Sequence, residues 1–262
     1  MNDVDVIVLD VDGGAMLAEC LDSIRAQNHP PARVLVFDNG SRTPVQAAAE
    51  VVRSERNLGF ARGVNEAYAR TTAAYVALVN NDVVLDADWL ALTRDALERD
   101  EKLGAVQTII RRPDGAIDGA GIDISDGTFR QIGHGLPVGA PLAVAWGVSA
   151  TATLYRRAAL GVRVFDERFF AYYEDVELCA RLRAGGWRLS VLPVVRATHR
   201  GSSSASILGR DALRLRTRNR YFVARMHPGI GRIGALLWED ARLALRGRTS
   251  PAGIAQGLWS TL

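Results

Sequence analysis

The sequence predicts an α/β fold, with a mostly parallel central sheet flanked by helices and a helical C-terminal extension. Two observations support this prediction. Strand-like and helix-like segments alternate through the first half of the chain, and the strand-like segments are continuous apolar runs, which indicates strands covered on both faces. The length of 262 residues, with 48% hydrophobic residues, suits one large domain plus an appendage and allows a sizeable core.

Strand and helix signals follow one another in the order typical of βαβ units. The strand signals are VDVIVL, ARVLVFD and YVALVN, at residues 4–9, 32–38 and 75–80. Helical apolar spacing covers residues 16–27, 45–53, 65–74 and 88–100. Because a strand joined to the next one through a helix returns in the same direction, this order predicts parallel pairing.

The alternation stops near Gly104. Residues 111–145 are rich in Gly, Pro and Asp, and they predict an irregular, loop-rich insert. A helix over residues 174–184 and the strand WRLSVLP at residues 187–193 follow, and GSSSAS at residues 201–206 then predicts a flexible polar loop. From Arg210 onwards the pattern is that of an amphipathic helix.

Charge is distributed unevenly along the chain. The net charge is +3, but the segment from Arg210 to Arg248 holds ten arginines and three acids, so it contributes +7 and the remainder about −4. We find no nucleic-acid-binding motif and expect no nucleic-acid partner. A basic amphipathic helix here fits an anionic membrane surface or an acceptor bearing pyrophosphate; the alternative is a helix packed back on the main domain.

Cysteine use and hydropathy restrict the compartment. Cys20 and Cys179 both lie in apolar-periodic segments, which predicts reduced core residues and no disulfide framework. The first apolar run is too short for a signal peptide and lacks its basic flank, and no apolar run reaches the roughly 18 residues of a membrane span. We therefore expect a cytoplasmic protein, either soluble or peripheral at the inner face of the plasma membrane.

Polar residues directly follow two of the predicted strands. Asp38 follows VLVF, and Asn80, Asn81 and Asp82 follow VALV in the stretch ALVNNDVVLD. Because ligands of open α/β sheets gather beyond the carboxyl ends of the strands, we expect the two carboxylates to line one crevice. A carboxylate beside a diphosphate needs a divalent cation between them. The alternative is a plain turn, which Asn and Asp favour.

A small-residue, donor-rich loop leads into the third predicted helix. It reads SERNLGFARGVNEAY and contains Arg56, Asn57, Gly59, Gly63 and Asn65. Backbone N–H groups at such a helix entrance would suit an anion. Glycine spacing of this kind also occurs in plain loop-to-helix junctions, so the loop alone does not separate the two interpretations.

Two acidic residues, Glu174 and Asp175, open the helix predicted at residues 174–184. Acids in a first turn are favoured by the helix dipole, which is the structural interpretation. Four aromatic residues within residues 169–173 immediately precede the pair, however. Partial desolvation by aromatic surface raises the pKa of a carboxyl group, as a general base requires.

His199 follows the strand of the second half and precedes the polar loop. A lone histidine is more often structural than a ligand. This one also lies beyond a strand end, so it could reach the same site and contact a metal there.

In combination these segments resemble the inverting family 2 glycosyltransferases, and within them the rhamnosyltransferase-like branch. The order and spacing of the matching pieces cover roughly residues 4–204. They are VFDNGS, ERNLGFARGVNEA, LVNNDVVLDADWL, the run from LYRRAAL to FDERFFAYYEDVELCARLRAGGWRL, and the later H-x-G-S. The resemblance implies the GT-A fold, with a catalytic domain over residues 1–209 (nucleotide-binding half 1–103, acceptor-binding half 104–209) and a basic helical extension over residues 210–262.

The resemblance also implies roles for individual residues. Asp175 matches the catalytic base and Glu174 supports it, while Asp82 and His199 correspond to positions that bind a divalent metal, Mg or Mn. Asn80 stands where the metal-binding D-x-D motif has its first acid. Trp146 lies where acceptor-side residues are expected, and a core position is the alternative for it. The remaining residues implied to contact the donor nucleotide-sugar are Asp38, Asn39, Arg56, Asn57, Gly63, Asn65 and Asn81.

The activity implied is a single inverting displacement. A sugar would move from a nucleotide-diphospho-sugar, with dTDP-rhamnose favoured and UDP-sugars next, to a hydroxyl of a glycan or a polyprenyl-diphosphate-linked acceptor. One departure concerns donor choice: the first strand is followed by LDVDGG, residues 9–14, instead of the family's usual Asn- or Thr-containing sequence.

Two rival interpretations remain. LDVDGG also resembles the nucleophile motif of haloacid-dehalogenase-type phosphatases, with Asp10 as nucleophile and Asp12 as acid/base. Gly14 then replaces the expected Thr or Ser, and Lys102, the chain's single lysine, would have to reach the phosphoryl group. The other rival is a non-catalytic sugar-nucleotide binder or a subunit that needs a partner, against which the intact Glu174–Asp175 pair speaks.

Overall fold

The computed structural model describes residues 3–201 and 208–260. The strands are β1 Val4–Asp10, β2 Arg33–Asn39, β3 Glu50–Ser54, β4 Tyr75–Asn80, β5 Val83–Leu85, β6 Leu103–Arg111, β7 Ile117–Gly119, β8 Ile122–Asp123, β9 Arg130–Gln131, β10 Ala152–Arg156 and β11 Arg188–His199. The helices are α1 Ala15–Arg25, α2 Phe60–Tyr68, α3 Trp89–Arg99, α4 Arg157–Leu160, α5 Glu174–Ala184, α6 Arg210–Met226, α7 Ile233–Ala244 and α8 Pro251–Trp259. The predicted loop GSSSAS lies almost entirely within residues 202–207, outside the described residues.

The central sheet has the strand order β3-β2-β1-β4-β10-β6-β11-β5, and β7 pairs with β6. Its first four strands are parallel, and for β1, β2 and β4 this confirms the prediction. Asp10 of β1 is in register with Asp38 of β2, and Leu9 is in register with Asn80 of β4. This register gathers the polar carboxyl ends of the apolar strands at one edge of the sheet, where a ligand can reach them without disturbing the core.

The second half of the sheet is mixed, which corrects the expectation of a mostly parallel sheet. Strand β10 runs antiparallel to both β4 and β6, and β5 runs antiparallel to β11. The insert after β6 brings the chain back to the carboxyl end of β4, so β10 starts there and runs in the opposite direction. The sequence of a continuous apolar strand does not show whether the strand pairs in parallel or antiparallel, because burial on two faces does not depend on strand direction.

The helix predicted for residues 45–53 is wrong. Residues 45–49 are irregular, and Glu50–Ser54 forms β3, which pairs with β2 at the edge of the sheet. Pairing with β2 overrides the helix propensity of the alanine-rich run before it. Helix α2 is also displaced from its predicted position, since it begins at Phe60 and ends at Tyr68 instead of covering residues 65–74.

Two apolar layers cover the faces of the sheet. One joins α2 and α5 to the sheet and contains Cys179, and the other is built with α1 and α3 and contains Cys20. Both cysteines are free and buried, as predicted. The two layers hold the strands rigidly, so the loops at the carboxyl edge are presented by a fixed scaffold.

Helix α6 joins the C-terminal segment to the rest of the protein. Phe222 packs against Phe169 with ring centroids 5.3 Å apart, and the Asn219 amide donates to the carbonyl oxygens of Ala171 and Tyr172 at 2.8 and 2.7 Å. Helix α8 lies along α6, and a Cβ at Gly253 would approach the Arg214 carbonyl oxygen to 2.7 Å. The extension is helical, as predicted, and α6 is packed on the main domain.

Candidate active site

A cleft of about 610 Å³ opens at the carboxyl edge of the sheet. It lies between the end of β4, the β8–β9 hairpin, the start of α5 and the end of β11. Asp82 and Asp175, which are more than ninety positions apart in the sequence, both line it. The acidic and basic side chains along its wall are Asp82, Asp118, Arg130, His134, Glu174, Asp175, His199 and Arg216.

Strand pairing brings His199 to Asp82. His199 is opposite Val83 in the β11–β5 ladder, which places its ring beside the preceding residue, Asp82. The ring Nε2 lies 3.2 Å from Asp82 Oδ1, and the ring Nδ1 lies 2.8 Å from Asp118 Oδ2. The Arg200 backbone N–H donates to the Asp82 carbonyl oxygen at 3.0 Å. His199 thus bridges two carboxylates.

The two carboxylates decide the protonation of His199. Burial lowers the pKa of an imidazole, but hydrogen bonds to Asp118 and Asp82 outweigh burial and raise the pKa of His199 to about 9. The imidazole therefore carries a proton at neutral pH in the structure described. A metal at this position would have to displace that proton.

The donor set fits a metal that arrives with a diphosphate. No group of three or more His, Cys, Asp or Glu side chains among the described residues is arranged as a complete metal cage. Asp82 and His199 offer one carboxylate and one imidazole within 3.2 Å of each other at the cleft wall. Magnesium is commonly held by one or two carboxylates together with substrate phosphates, and this pair matches that pattern.

Asp118 was not predicted from the sequence. It lies on β7 within the loop-rich insert, and its carboxylate holds the Nδ1 side of the His199 ring. A carboxylate that holds the second nitrogen of a ligating histidine fixes the orientation of the ring. The stretch DGAIDGAGID offered no signal, because its repeated Asp and Gly residues are equally typical of turns.

The start of α5 presents the two acids to the cleft. Asp175 Oδ1 accepts a hydrogen bond from the Val176 backbone N–H at 2.8 Å. Burial raises the pKa of Asp175 to about 6, although backbone N–H groups of Val176 and Ala150 favour its ionised form. Burial, with the Asp175 carboxylate beside it, raises the pKa of Glu174 well above its usual range. At neutral pH Asp175 is ionised, and burial disfavours the ionised form of Glu174 beside it, so the two carboxyl groups stand in different environments.

The turn before α5 has a strained backbone, and side chains from other segments pack against it. Tyr172 and Tyr173 both adopt positive φ angles, 73° and 68°, which are unfavourable for side chains of this size. The Arg216 guanidinium lies over the Tyr172 ring at 4.4 Å, and Tyr173 meets Phe129 edge-on at 5.9 Å. Helix α6, which carries Arg216, therefore helps to set the position of the acids. The sequence showed Arg216 only as one arginine of the basic segment.

Asp38 and Asn39 shape the loops after β2. Asp38 is fully buried and accepts hydrogen bonds from the Ser41 and Val45 backbone N–H groups at 2.9 and 3.1 Å and from Arg53. Burial alone would raise the pKa of Asp38, but the Ser41 and Val45 amides outweigh it and lower that pKa. Neither residue is part of the cleft wall in this structure, so their contacts with a nucleotide stay a prediction.

Asn39 and Asn57 hold the next loop together. Asn39 Oδ1 accepts from the Leu58 backbone N–H at 2.8 Å, and its Nδ2 donates to Asn57 Oδ1 at 3.2 Å. The packing there is close, since a Cβ at Gly63 would lie 2.6 Å from Leu9 Cδ1. Gly63 thus allows α2 to approach β1, which is a structural reason for glycine at this position.

The three residues at the end of β4, Asn80, Asn81 and Asp82, lie in different environments. Asn80 lines the cleft beside Asp82. Asn81 instead donates from Nδ2 to Asp10 Oδ1 at 2.6 Å, and Asp10 also accepts from the Gly13 backbone N–H at 3.2 Å. The unusual sequence LDVDGG after β1 therefore contacts the turn after β4 through the hydrogen bond from Asn81 to Asp10, and this contact is buried at the carboxyl edge of the sheet.

Arg56 and Trp146 lie away from the cleft wall. Arg56 is exposed on the loop before α2. Trp146 packs beneath Arg183, whose guanidinium is 5.5 Å from the indole ring and whose Nε donates to the Trp146 carbonyl oxygen at 2.6 Å. Their roles toward donor and acceptor stay predictions.

The side-chain amide of Asn65 forms all of its hydrogen bonds with other residues of the protein. Its Oδ1 accepts from the backbone N–H groups of Val164 and Phe165, both at 3.0 Å. Its Nδ2 donates to the Phe165 carbonyl oxygen at 2.9 Å and to Glu167 Oε1 at 3.1 Å. These four bonds satisfy both lone pairs and both hydrogens of the amide, so Asn65 clamps the segment before the aromatic turn.

Replacing Asn65 by Ala is expected to destabilise the protein. The buried Val164 and Phe165 N–H groups would lose their partner, at a cost of about 1–3 kcal/mol for each group left unsatisfied. Thermal unfolding would measure the loss, with the exposed Asn28→Ala as a matched control. An unchanged melting temperature together with a raised KM for the donor would instead show that Asn65 contacts the ligand.

The geometry argues against the phosphatase interpretation. Asp10 lies at the carboxyl edge, where Leu9 is in register with Asn80. Lys102 directly precedes β6. Strand β10 connects the two regions, since its Tyr155 is opposite Ala105 of β6 on one side and opposite Val76, near the start of β4, on the other. Lys102 is therefore at the other end of the sheet from Asp10 and cannot serve a phosphoryl group there.

Comparison with protein families gives a match that covers more than half of the chain. The family described as Glycosyl transferase family 2 matches residues 6–162. A relative from Mycobacterium tuberculosis, named N-acetylglucosaminyl-diphospho-decaprenol L-rhamnosyltransferase, is 30% identical, and the alignment covers 94% of this chain and 92% of that protein. A second relative, the O-antigen biosynthesis protein RfbC of Myxococcus xanthus, is 28% identical over 77% of this chain and 17% of its own length.

Solved structures share the fold. The mannosyltransferase PcManGT from Pyrobaculum calidifontis, solved with GDP-Man and Mn²⁺, superposes with a TM-score of 0.62 at 18% identity, covering 99% of this chain and 88% of that one. S. aureus TarS 1-349, solved with UDP-GlcNAc, gives a TM-score of 0.60 at 18% identity, covering 86% and 65%. Both are GT-A glycosyltransferases, and the fold described above is the same one.

Proposed function

The chain belongs to glycosyl transferase family 2, and we propose that it is an inverting enzyme that moves rhamnose from dTDP-rhamnose to a hydroxyl of a polyprenyl-diphosphate-linked sugar. UDP-sugars are the second choice of donor. The observation that carries the proposal is the shared cleft, which joins the metal-ligand candidates Asp82 and His199 to the carboxylate of Asp175. The name of the M. tuberculosis relative supports the choice of sugar and acceptor.

Asp175 is the general base in this proposal. Its carboxylate accepts the proton of the acceptor hydroxyl while the hydroxyl oxygen bonds to the anomeric carbon. The bond from that carbon to the diphosphate oxygen breaks in the same displacement, and the configuration inverts. A pKa near 6 keeps Asp175 ionised at neutral pH and still able to take a proton. Burial raises the pKa of Glu174 beside it, which disfavours a second negative charge at this position.

Asp82 and His199 are the residues that would hold a divalent cation, and Asp118 would orient the His199 ring. A bound Mg²⁺ or Mn²⁺ supplies charge neutralisation for the leaving nucleoside diphosphate. Because His199 must lose its proton to ligate, metal binding is expected to release protons and to weaken as the pH falls.

Arg216 is the side chain that we assign to the pyrophosphate of the acceptor. It lies on the cleft wall, on the side of the aromatic turn that carries Asp175, and its guanidinium is already oriented by the Tyr172 ring. Arginine suits phosphate recognition because its planar donors match phosphate oxygens.

A thermal-shift panel of nucleotide-sugars tests the donor assignment. A ligand that binds only the folded state raises its stability, so dTDP-rhamnose with Mn²⁺ is expected to raise the melting temperature by about 5–10 °C at saturating concentration. The same donor with a chelator should give a smaller shift. Stabilisation by UDP-sugars alone would transfer the proposal to those donors, and no shift with any nucleotide-sugar would contradict it. Donor hydrolysis by the purified protein would exclude the non-catalytic binder.

A further inference from the structure

Helix α7 has two apolar faces, and only one of them is covered. Leu236 is buried among Tyr221 and Ala224 of α6. On the opposite side Trp238 is 70% exposed, and Leu245, which follows the helix and keeps a helical backbone, is 90% exposed. We define the α7 outer face as Leu237, Trp238, Ala241, Arg242 and Leu245, which are all exposed and fall within about 140° of the helix circumference.

The acids of α7 do not belong to this face. Glu239 pairs with Arg220 at 2.7 Å. Asp240 is buried and is hydrogen-bonded by Arg220, Tyr221 and Thr249. The outer face therefore presents apolar side chains and Arg242, and the exposed Arg246 and Arg248 follow directly after Leu245. A surface with this combination of indole, aliphatic and guanidinium groups is complementary to an anionic, partly apolar partner.

Four arginines of α6 are engaged within the protein. Arg214 donates to Gln256 at 2.9 Å, and Arg218 donates to the Arg168 carbonyl oxygen at 2.8 Å. Arg220 is buried against the two acids of α7, and Arg225 donates to the Ser260 carbonyl oxygen at 2.7 Å. Helix α6, for which a membrane surface was one of the predicted partners, is thus packed within the protein, and an exposed apolar surface lies one helix further along the chain.

We propose that the α7 outer face docks the protein on an anionic lipid bilayer, with Trp238 and Leu245 inserted at the interface and Arg242 and Arg246 among the headgroups. No described helix has the length and apolar character needed to cross a bilayer, so the contact is that of a helix lying in the interface plane. This contact goes beyond the proposed sugar transfer, since it requires neither donor nor acceptor.

Vesicle co-sedimentation tests the proposal with the full chain. The protein should sediment with phosphatidylcholine vesicles that contain phosphatidylglycerol and much less with phosphatidylcholine alone, and added salt should weaken the binding. The double variant Trp238→Ala/Leu245→Ala should bind at least about tenfold more weakly, because two apolar side chains no longer leave water. The matched control is Val144→Ala/Val162→Ala, two exposed apolar positions outside the extension, which should bind as the wild type does.

A second measurement guards against misfolding of the double variant. Trp238→Phe retains apolar area and should still bind, but it should lose part of the tryptophan quenching caused by brominated phosphatidylglycerol. Absence of wild-type binding, or equal binding by the double variant, would overturn the proposal. A dimer seen by sedimentation velocity and lost in the double variant, without vesicle binding, would show that a second copy covers this face. Normal transfer to a short-chain acceptor in either case would leave the proposed function standing.

Discussion

Asp175→Asn is expected to lower kcat by at least about 10²-fold while donor affinity is retained. General-base assistance commonly contributes about 10²–10⁴-fold, and an amide cannot accept the proton of the acceptor hydroxyl. Donor affinity should survive because Asp175 lies on α5 and is not one of the residues proposed to hold the metal and the diphosphate. Initial-rate kinetics with calorimetry of donor binding would measure both quantities.

The pH dependence follows from the same group. Asp175 works in its ionised form, so kcat at saturating metal and substrates should be constant above its pKa of about 6 and fall as the pH drops below that value. The effect of Asp175 on folding stability has the opposite pH dependence to its effect on turnover. A carboxyl whose pKa is raised in the folded state destabilises the fold progressively as pH rises from its unfolded pKa through about 6, and the penalty is complete at neutral pH. Asp175→Asn should therefore not lower the melting temperature at pH 7.

Controls separate the base from a general electrostatic effect. Asp95→Asn removes an exposed carboxylate of α3 and should leave turnover unchanged. Glu174→Gln keeps the size of a side chain that does not act as the base in this proposal, and it should cost much less than Asp175→Asn. Near-normal turnover of Asp175→Asn would remove this residue from the base role.

Asp82→Ala should abolish metal-dependent binding of the donor. In the proposal the Asp82 carboxylate is the anionic protein ligand of the cation that neutralises the diphosphate, and His199 alone would have to replace it. Calorimetry with dTDP-rhamnose, with and without Mn²⁺ or Mg²⁺, measures this dependence. In the wild type the metal should increase affinity, whereas in the variant its addition should have no effect.

Asp118, which is hydrogen-bonded to His199, allows a variant with an intermediate effect on metal affinity. Asp118→Asn keeps Asp82 and His199 but weakens the hold on the ring Nδ1, so metal affinity should fall by about 10–100-fold without being lost. Asp114→Ala, an exposed acid of the same insert, should behave as the wild type does. Donor affinity of Asp82→Ala that still rises on adding metal would contradict the assignment.

Much of the first half could be predicted from the sequence. Strands β2 and β4 contain apolar runs that end in polar residues, and this pattern alone located Asp38 at the end of β2 and Asp82 just beyond β4. The aromatic run before the two acids likewise pointed to the desolvated carboxyls at the start of α5. In each case a local pattern and its tertiary environment agree, which is the condition under which sequence patterns are informative.

The rest depends on partners that are distant in the sequence. Strand β3 follows an alanine-rich run with helix propensity and becomes a strand only because the edge of β2 is available. The sequence does not show whether an amide side chain binds a ligand or another part of the protein. Only the fold shows that Asn65 holds residues 164–167 and that Asn81 holds Asp10. The approach of Asp118 to His199 and of Arg216 to Tyr172 joins segments that no spacing relates.

Anomalous diffraction from a crystal of the protein with Mn²⁺ and dTDP-rhamnose tests the central arrangement most directly. We predict a manganese peak beside Asp82 and His199, with the sugar of the donor in the cleft and the open face of its anomeric carbon towards Asp175. Manganese bound elsewhere, or a donor whose sugar points away from Asp175, would contradict the account.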